Sequence, residues 1–316
     1  MECIILRMEW IFQSRQKTEE RIDLSPLLPS RLADMSIDEV LSMKLEILGG
    51  TRHAVVKDLF ELQWNSGQAS APENHQIVLR GDCSQFDRIG FEMRGGVILV
   101  EGNAGDHVAY GMRDGFIIVG GDCGDELCTA MLSGRVLVRG SAGDRVGGPK
   151  PGAKSGMRGG DCIVAGDCGD RIAERLRRGT IVVGGNCGNI GASFMIAGSV
   201  VVLGSIGERW ACGMRRGSLI LTEAMGIDES TFNAELTVAR EFELSFLPIL
   251  WRHIRECWNS QLALFTPITT QDNYAESVLD FTDKIPRGRW CRRQLGDRSY
   301  DGRGEILQLT RESRRC

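Results

Sequence analysis

Arg178-Gly-Thr-Ile-Val-Val-Gly-Gly-Asn-Cys-Gly-Asn189 returns nineteen residues later as Ala197-Gly-Ser-Val-Val-Val-Leu-Gly-Ser-Ile-Gly-Glu208. The same pattern is written eight times between Gln76 and Thr222: two or three branched apolar residues, a glycine, a small polar residue, another glycine, then Met-Arg-x-Gly or a close variant. The glycine after each apolar run marks the copies at Gly81, Gly102, Gly121, Gly140, Gly166, Gly185 and Gly204, with steps of 21, 19, 19, 26, 19 and 19 residues. The eighth copy, Ser218 to Glu223, lacks it. Self-similarity at this period is the mark of a solenoid, in which each copy buries its apolar side only by stacking on its neighbours.

Short, β-branched runs fenced by glycine do not fit helical repeats. The fourth and second residues before each marker are apolar in every copy, from Ile77 and Leu79 to Val200 and Val202, and alternate residues of a strand share a face. The pattern therefore predicts an all-β core: a right-handed parallel β-helix of about eight rungs, right-handed because parallel crossovers nearly always are. Between the two inward residues lie Val78, Leu99, Ile118, Leu137, Ile163, Val182, Val201 and Ile220, which must point outward, and none is polar. Continuous apolar runs mark a sheet covered on both faces. Left bare, this ladder would expose on the order of 500 Å², as much as the largest patch of a typical soluble monomer. The cover is either the chain's own terminal segments or a separate partner protein, and the eight residues are candidates for a partner interface.

Other columns repeat with the rungs. The residue after each marker (Asp82, Asn103, Asp122, Ser141, Asp167, Asn186, Ser205) can cap the turn, and a glycine two residues further on (Gly105, Gly124, Gly143, Gly169, Gly188, Gly207) is expected to serve a positive φ. Met93, Met112, Met131, Met157, Leu176, Met195 and Met214 read as core filling. The fourth copy is seven residues longer, around Pro149-Lys150-Pro151. Its prolines and glycines predict a loop projecting from one side, the best docking candidate in a regular repeat.

Four segments follow: a disordered extension over 1–20, an α+β segment flanking the coil over 21–75, the repeats over 76–223, and a C-terminal segment over 224–316. Ser36-Ile-Asp-Glu39 is a capping box for a short helix. Lys44–Leu48 and Ala54–Leu62 read as strands, and 64–74 as a linker. Ser245 to Trp258 is an amphipathic helix suited to covering part of the outward ladder.

Composition excludes several classes. A net charge of −4 with a pI near 5.7 argues against a nucleic-acid surface. The apolar opening is too short and too charged to be a leader or a membrane span, and eleven unevenly spaced cysteines suggest a reducing cytosol. Cys83, Cys123, Cys168 and Cys187 stack at the turn, but their column also holds Ala104, Ala142 and Ile206, and no Cys-x-x-Cys pair exists. The column asks for a small apolar side chain, with Cys168 and Cys187 the one neighbouring pair. Asp106, Asp125, Asp144, Asp170 and Glu208 share one local sequence and read as turn caps rather than an acid–base pair. Arg94, Arg113, Arg158, Arg177 and Arg215 form either a solvated stripe or a track for a polyanion. His53, His75, His107 and His253 share no spacing. No catalytic, cofactor-binding or metal residue is assigned.

The repeat with Gly-Met-Arg-x-Gly resembles the GXGXG β-helix family, which includes the C-terminal domain of glutamate synthase. Gly143-Asp-Arg-Val-Gly-Gly-Pro-Lys-Pro-Gly-Ala-Lys-Ser-Gly-Met-Arg-Gly-Gly160, Arg177-Arg-Gly-Thr-Ile181, Met195-Ile-Ala-Gly198 and Arg303-Gly-Glu-Ile306 look like the C subunit of formylmethanofuran dehydrogenase and of the related bacterial formyltransferase/hydrolase complex. The likeness runs from about Leu24 to Leu307, with Leu176 and the turn cysteines as departures. It implies a non-catalytic cytoplasmic scaffold joining a formyltransferase subunit to an amidohydrolase-like subunit. In that complex a formyl group passes from tetrahydromethanopterin to a furan-type carrier and leaves as formate. The alternatives are the C subunit of a molybdenum or tungsten formylmethanofuran dehydrogenase and, third, an independent enzyme or glutamate-synthase-like domain.

Overall fold

The computed structural model describes residues 8–15, 19–65, 75–222, 231–232, 236–237, 239–262, 281–300 and 302–310. Before the repeats come β1 (Met8–Ser14), β2 (Ile22–Asp23), α1 (Pro29–Leu32), α2 (Ile37–Leu41), β3 (Lys44–Glu46), β4 (His53–Val55), α3 (Val56–Leu59) and β5 (Phe60–Asn65). The repeats supply β6 (His75–Arg80), a short β7 (Phe86–Asp87), β8 (Arg94–Val100), β9 (Asp114–Val119) and β10 (Arg135–Val138). They continue with β11 (Arg158–Val164), β12 (Arg178–Val183), β13 (Ser199–Val202) and β14 (Ser218–Leu221). After them lie β15 (Arg240–Glu243), α4 (Leu247–Leu262), β16 (Trp290–Leu295) and β17 (Glu305–Leu309).

Thirteen strands form one sheet in the order β15-β16-β17-β14-β13-β12-β11-β10-β9-β8-β6-β1-β5, parallel throughout the repeats. The register aligns Val78, Leu99, Ile118, Leu137, Ile163, Val182, Val201 and Ile220 in one column. A second parallel ladder joins Cys83, Ala104, Cys123, Ala142, Cys168, Cys187 and Ile206. The copies thus touch along two edges, so the molecule is mostly β, with a large, mostly parallel sheet.

The period of two sorts the side chains into separate cores. Ile98 and Val100, Ile117 and Val119, Val136 and Val138 and their equivalents pack with the fully buried column from Met93 to Met214. The residues between them belong to a different buried cluster on the opposite face, with Leu247, Trp251, Ile254, Cys257 and Trp258 of α4.

The turns hold a finding that revises the sequence reading. Asp82 caps its own turn, accepting from Ser84 N–H (3.1 Å), but from Asn103 and Asp106 onward the side chain accepts a hydrogen bond from the N–H of its counterpart one copy on. Asp106 Oδ1 accepts from Asp125 (2.9 Å), Asp125 from Asp144 (2.8 Å), Asp144 from Asp170 (2.7 Å) and Asp170 from Asn189 (2.7 Å). Asn103, Asp122, Ser141, Asp167 and Asn186 form a parallel series ending on Ser205. Glycines such as Gly124 are therefore required for space, not for a positive φ: a Cβ there would collide with Asp106 Oδ1. A left-handed glycine instead sits at the start of the strand of each copy after the first, as at Gly179 (φ 97°).

Outside the repeats, Ser36 and Glu39 close the expected capping box on α2. The expected 54–62 strand is broken by α3, and β4 pairs antiparallel with β3. The expectation of a disordered opening is corrected for β1. It inserts between β5 and β6 with Trp10 and Phe12 buried, because its alternating apolar residues continue the two-faced pattern of the sheet. The tail likewise adds β17 in parallel to β14. Residues 1–7 and most of the expected 64–74 linker lie outside the described residues, while Trp64 belongs to β5 and packs against Trp10 with ring centroids 4.2 Å apart.

Candidate functional site

Val78, Leu99, Ile118, Leu137, Ile163, Val182, Val201 and Ile220 point outward as the alternation requires, yet each is at most 2% exposed. Their cluster contains α4 together with Phe281, Ile285, Cys291, Leu307 and Leu309. The chain therefore covers its own ladder, which corrects the reading of these eight as a partner interface. Polar side chains bolt the cover down: Trp251 Nε1 donates to Gly288 O (3.0 Å), and Arg255 donates to the carbonyls of Ile285 and Pro286 (3.0 and 2.8 Å).

The seven-residue insertion does not simply project. Pro149 is buried, and Lys150 reaches back to Glu92 (3.4 Å) and lies 4.8 Å from the centre of the Tyr110 ring. Two attractions, to a carboxylate and to an aromatic face, hold that ammonium against earlier copies. Only the tip at Pro151 and Gly152 is exposed.

Cys83, Cys123 and Cys168 at the turns are closed to chemistry as thiolates. Burial, helped by Asp82 and Glu101, pushes Cys83 up to about 12. Burial raises Cys123, and a hydrogen bond with Cys187, then burial, raises Cys168. A thiol pKa raised by folding stabilises the protein below the unfolded value, near 9, and that stability is lost as pH rises through the folded value. At 1.36 kcal/mol per unit, Cys83 alone should remove about 1.4 kcal/mol between pH 8 and 10. Cys83→Ala places in the column the residue already present at Ala104 and Ala142. It is expected to cost about 1 kcal/mol at neutral pH and to abolish that share of the alkaline loss, as urea titrations at the two pH values would read.

The arginine stripe is open. Arg94, Arg113, Arg158, Arg177 and Arg215 are all exposed, and among the described residues only Arg113 has a carboxylate in reach, Glu92 at 3.9 Å. At its far end Lys154, Arg175 and Arg215 line a cleft with Phe194 and Ile196, and Arg216 and Arg303 continue it beside Tyr300. Phe194 and Tyr300 are exposed, with rings edge to face at 6.0 Å. Exposed aromatics among these guanidinium groups make a surface suited to an acidic partner.

One constellation was missed by sequence reasoning. His253 and Cys257, four residues apart on α4, meet Asp161 of β11. The His253 Nε2 atom is 3.3 Å from Asp161 Oδ2 and 3.5 Å from Cys257 Sγ, and Sγ is 3.9 Å from Oδ2. The thiol is buried and the imidazole partly exposed. Burial, then Asp161, holds the thiol up near 11 despite Arg135. The thiol lies 3.5 Å from Nε2 and 3.8 Å from Nδ1, nearer the nitrogen that the carboxylate also approaches, so this is not a nucleophile–base–orienter relay, in which thiol and carboxylate would occupy opposite nitrogens. The i,i+4 spacing was visible in the sequence, but its third member lies 92 residues away.

Comparisons with known proteins agree with this architecture. Residues 152–247 match the GXGXG motif family model. The chain is 34% identical over 96 residues to the C subunit of the tungsten-containing formylmethanofuran dehydrogenase 2 of Methanothermobacter wolfeii, covering 30% of this chain and 34% of that protein. Its counterpart in Methanococcus maripaludis is 26% identical over 84 residues, covering 27% and 28%. The chain thus spans about a third of the length of these curated relatives. A chain of the formyltransferase/hydrolase complex (FhcABCD) from Methylorubrum extorquens, solved in complex with methylofuran, is similar with a TM-score of 0.74 and 26% identity. That match covers 95% of this chain and 100% of the other. No helix among the described residues is long and apolar enough to cross a membrane. By its repeats, its sheet and these likenesses, the chain carries the GXGXG motif and resembles both the C subunit of formylmethanofuran dehydrogenase and a component of the formyltransferase/hydrolase complex.

Proposed function

We propose that this chain is the non-catalytic scaffold, the C subunit, of a formyltransferase/hydrolase complex in tetrahydromethanopterin-linked one-carbon metabolism. Its stacked copies are read as a right-handed parallel β-helix of about eight rungs, occupying 76–223, flanked by segments 21–75 and 224–316. The observation that carries the reading is mutual coverage of 95% and 100% with a chain of such a complex. Its partners are a formyltransferase subunit and an amidohydrolase-like subunit, which hold the furan-type carrier and tetrahydromethanopterin. With the outward ladder closed, the docking surfaces in this reading are the basic face around Arg215 and Phe194 and the loop tip at Pro151. The protein works in the cytoplasm and binds neither nucleic acid nor membrane.

A second reading, the C subunit of a molybdenum or tungsten formylmethanofuran dehydrogenase, draws on the 34% identity over 96 residues to such a dehydrogenase component. Tagged full-length chain isolated from its source separates the two. Co-purification with formyltransferase and hydrolase polypeptides, and formate release from a formylated carrier without an electron acceptor, is the expected result. Acceptor-dependent oxidation by a metal-containing partner would replace it with the dehydrogenase reading, and activity of the isolated chain would overturn both.

A further inference from the structure

We propose that Asp161, His253 and Cys257 bind a zinc ion that clips helix α4 to strand β11. The proposal does not rest on the scaffold reading. Asp161 occupies an outward column whose other members, in register, are Gln76, Val97, Phe116, Arg135, Thr180, Ser199 and Ser218. The column ends on Glu9 of β1 and Glu305 of β17; between Gln76 and Ser218 Asp161 is its one carboxylate, and it lies under the part of α4 that presents an imidazole and a thiol on one helical face.

The spacing fits a shared ion better than direct bonding. Tetrahedral zinc with ordinary bond lengths separates a nitrogen and an oxygen ligand by about 3.3 Å, and sulfur from either by about 3.5 Å. The observed edges are 3.3 Å (Nε2 to Oδ2), 3.5 Å (Sγ to Nε2) and 3.9 Å (Sγ to Oδ2). Without an ion, Nε2 faces both sulfur and oxygen with one proton or one lone pair to direct at them, while the sulfur also lies 3.8 Å from Nδ1. An ion among the three satisfies all of them at once, and a thiolate with a carboxylate neutralises a dication. Sulfur, imidazole and carboxylate together suit zinc rather than magnesium or calcium, which take oxygen ligands. The half-exposed edge of His253 gives the ion a path in and leaves the fourth position to water. Arg135 Nε, 3.7 Å from Asp161 Oδ2, holds the carboxylate from the other side while its guanidinium lies over Phe116.

The test uses the full chain, stripped with chelator and titrated with cobalt(II) and then zinc. One equivalent of cobalt should produce sulfur-to-cobalt charge-transfer absorption, zinc should displace it, and zinc should raise the melting temperature. Cys257→Ser should abolish the absorption, and both it and His253→Gln should weaken zinc binding by about 100-fold or more, the upper end of what losing even an outer-shell partner costs. Cys291→Ser, buried in the same cluster but outside the trio, should change neither. Absence of a stoichiometric cobalt–sulfur band in the wild-type chain overturns the proposal without recourse to any variant. So does zinc binding that Cys257→Ser leaves unchanged.

Discussion

Gly169→Ala is expected to destabilise the protein by about 1–3 kcal/mol, a substantial share of a typical folding free energy of about 5–15 kcal/mol. A Cβ at this position would run into Asp144 Oδ1, and retreat is blocked by the backbone: Asp144 N and the carbonyl carbon of Gly143 both lie 3.0 Å away. Overpacking of this kind costs about 1–3 kcal/mol. If Asp144 swings aside instead, its bond from Asp170 N–H is lost, at about 0.5–1.5 kcal/mol for an exposed hydrogen bond that water can replace. Either route also pries apart adjacent copies, so the damage should spread to neighbours on both sides. Gly50→Ala is the control, since its Cβ would meet nothing nearer than Arg52 N at 3.9 Å and its effect should stay within about 0.5 kcal/mol. Urea midpoints of the two variants decide the matter; equal midpoints would show that the turn glycines are not there for space.

The same column shows where reading the sequence succeeds and where it stops. Alternation within the run Ile181-Val182-Val183 dictates which side chain faces which way, because a strand has a fixed period of two. The two separate cores follow from that alone. A glycine, by contrast, is compatible with either a left-handed φ or a close approach. Gly179 is left-handed and Gly169 is crowded, and only the distance to the copy below distinguishes them. Ser84, at the equivalent place in the first copy, stands where the turn ladder begins among the described residues, and its N–H donates to Asp82 Oδ1 of its own turn. β1 and β17 are not legible as strands in the sequence because each is a lone two-faced run with no repeat to announce it. The Asp161, His253 and Cys257 trio is the extreme case: local chemistry offered two of the three, and the third comes from the docking of one segment on another.

What the ladder needs to stay buried can be tested at Trp258. This side chain is fully buried in the outward cluster and packs on Phe281 with ring centroids 4.3 Å apart, so it belongs to the lid rather than to the stack. Trp258→Ala should cost about 3–5 kcal/mol, as truncation of a buried aromatic does when the surroundings cannot close the gap. The loss should also loosen α4 over Ile163 and Val182, and apolar dye binding should rise well before the repeats themselves unfold. Trp258→Phe separates packing from polarity. The indole Nε1 has no hydrogen-bond partner among the described residues, so Phe removes a buried, unsatisfied donor while keeping most of the ring contact. Its cost should be no more than about 1.5 kcal/mol. If Ala and Phe prove equally harmless and neither raises dye binding, α4 is not what keeps water from the ladder. In that case the eight middle side chains would need a cover from outside the chain after all.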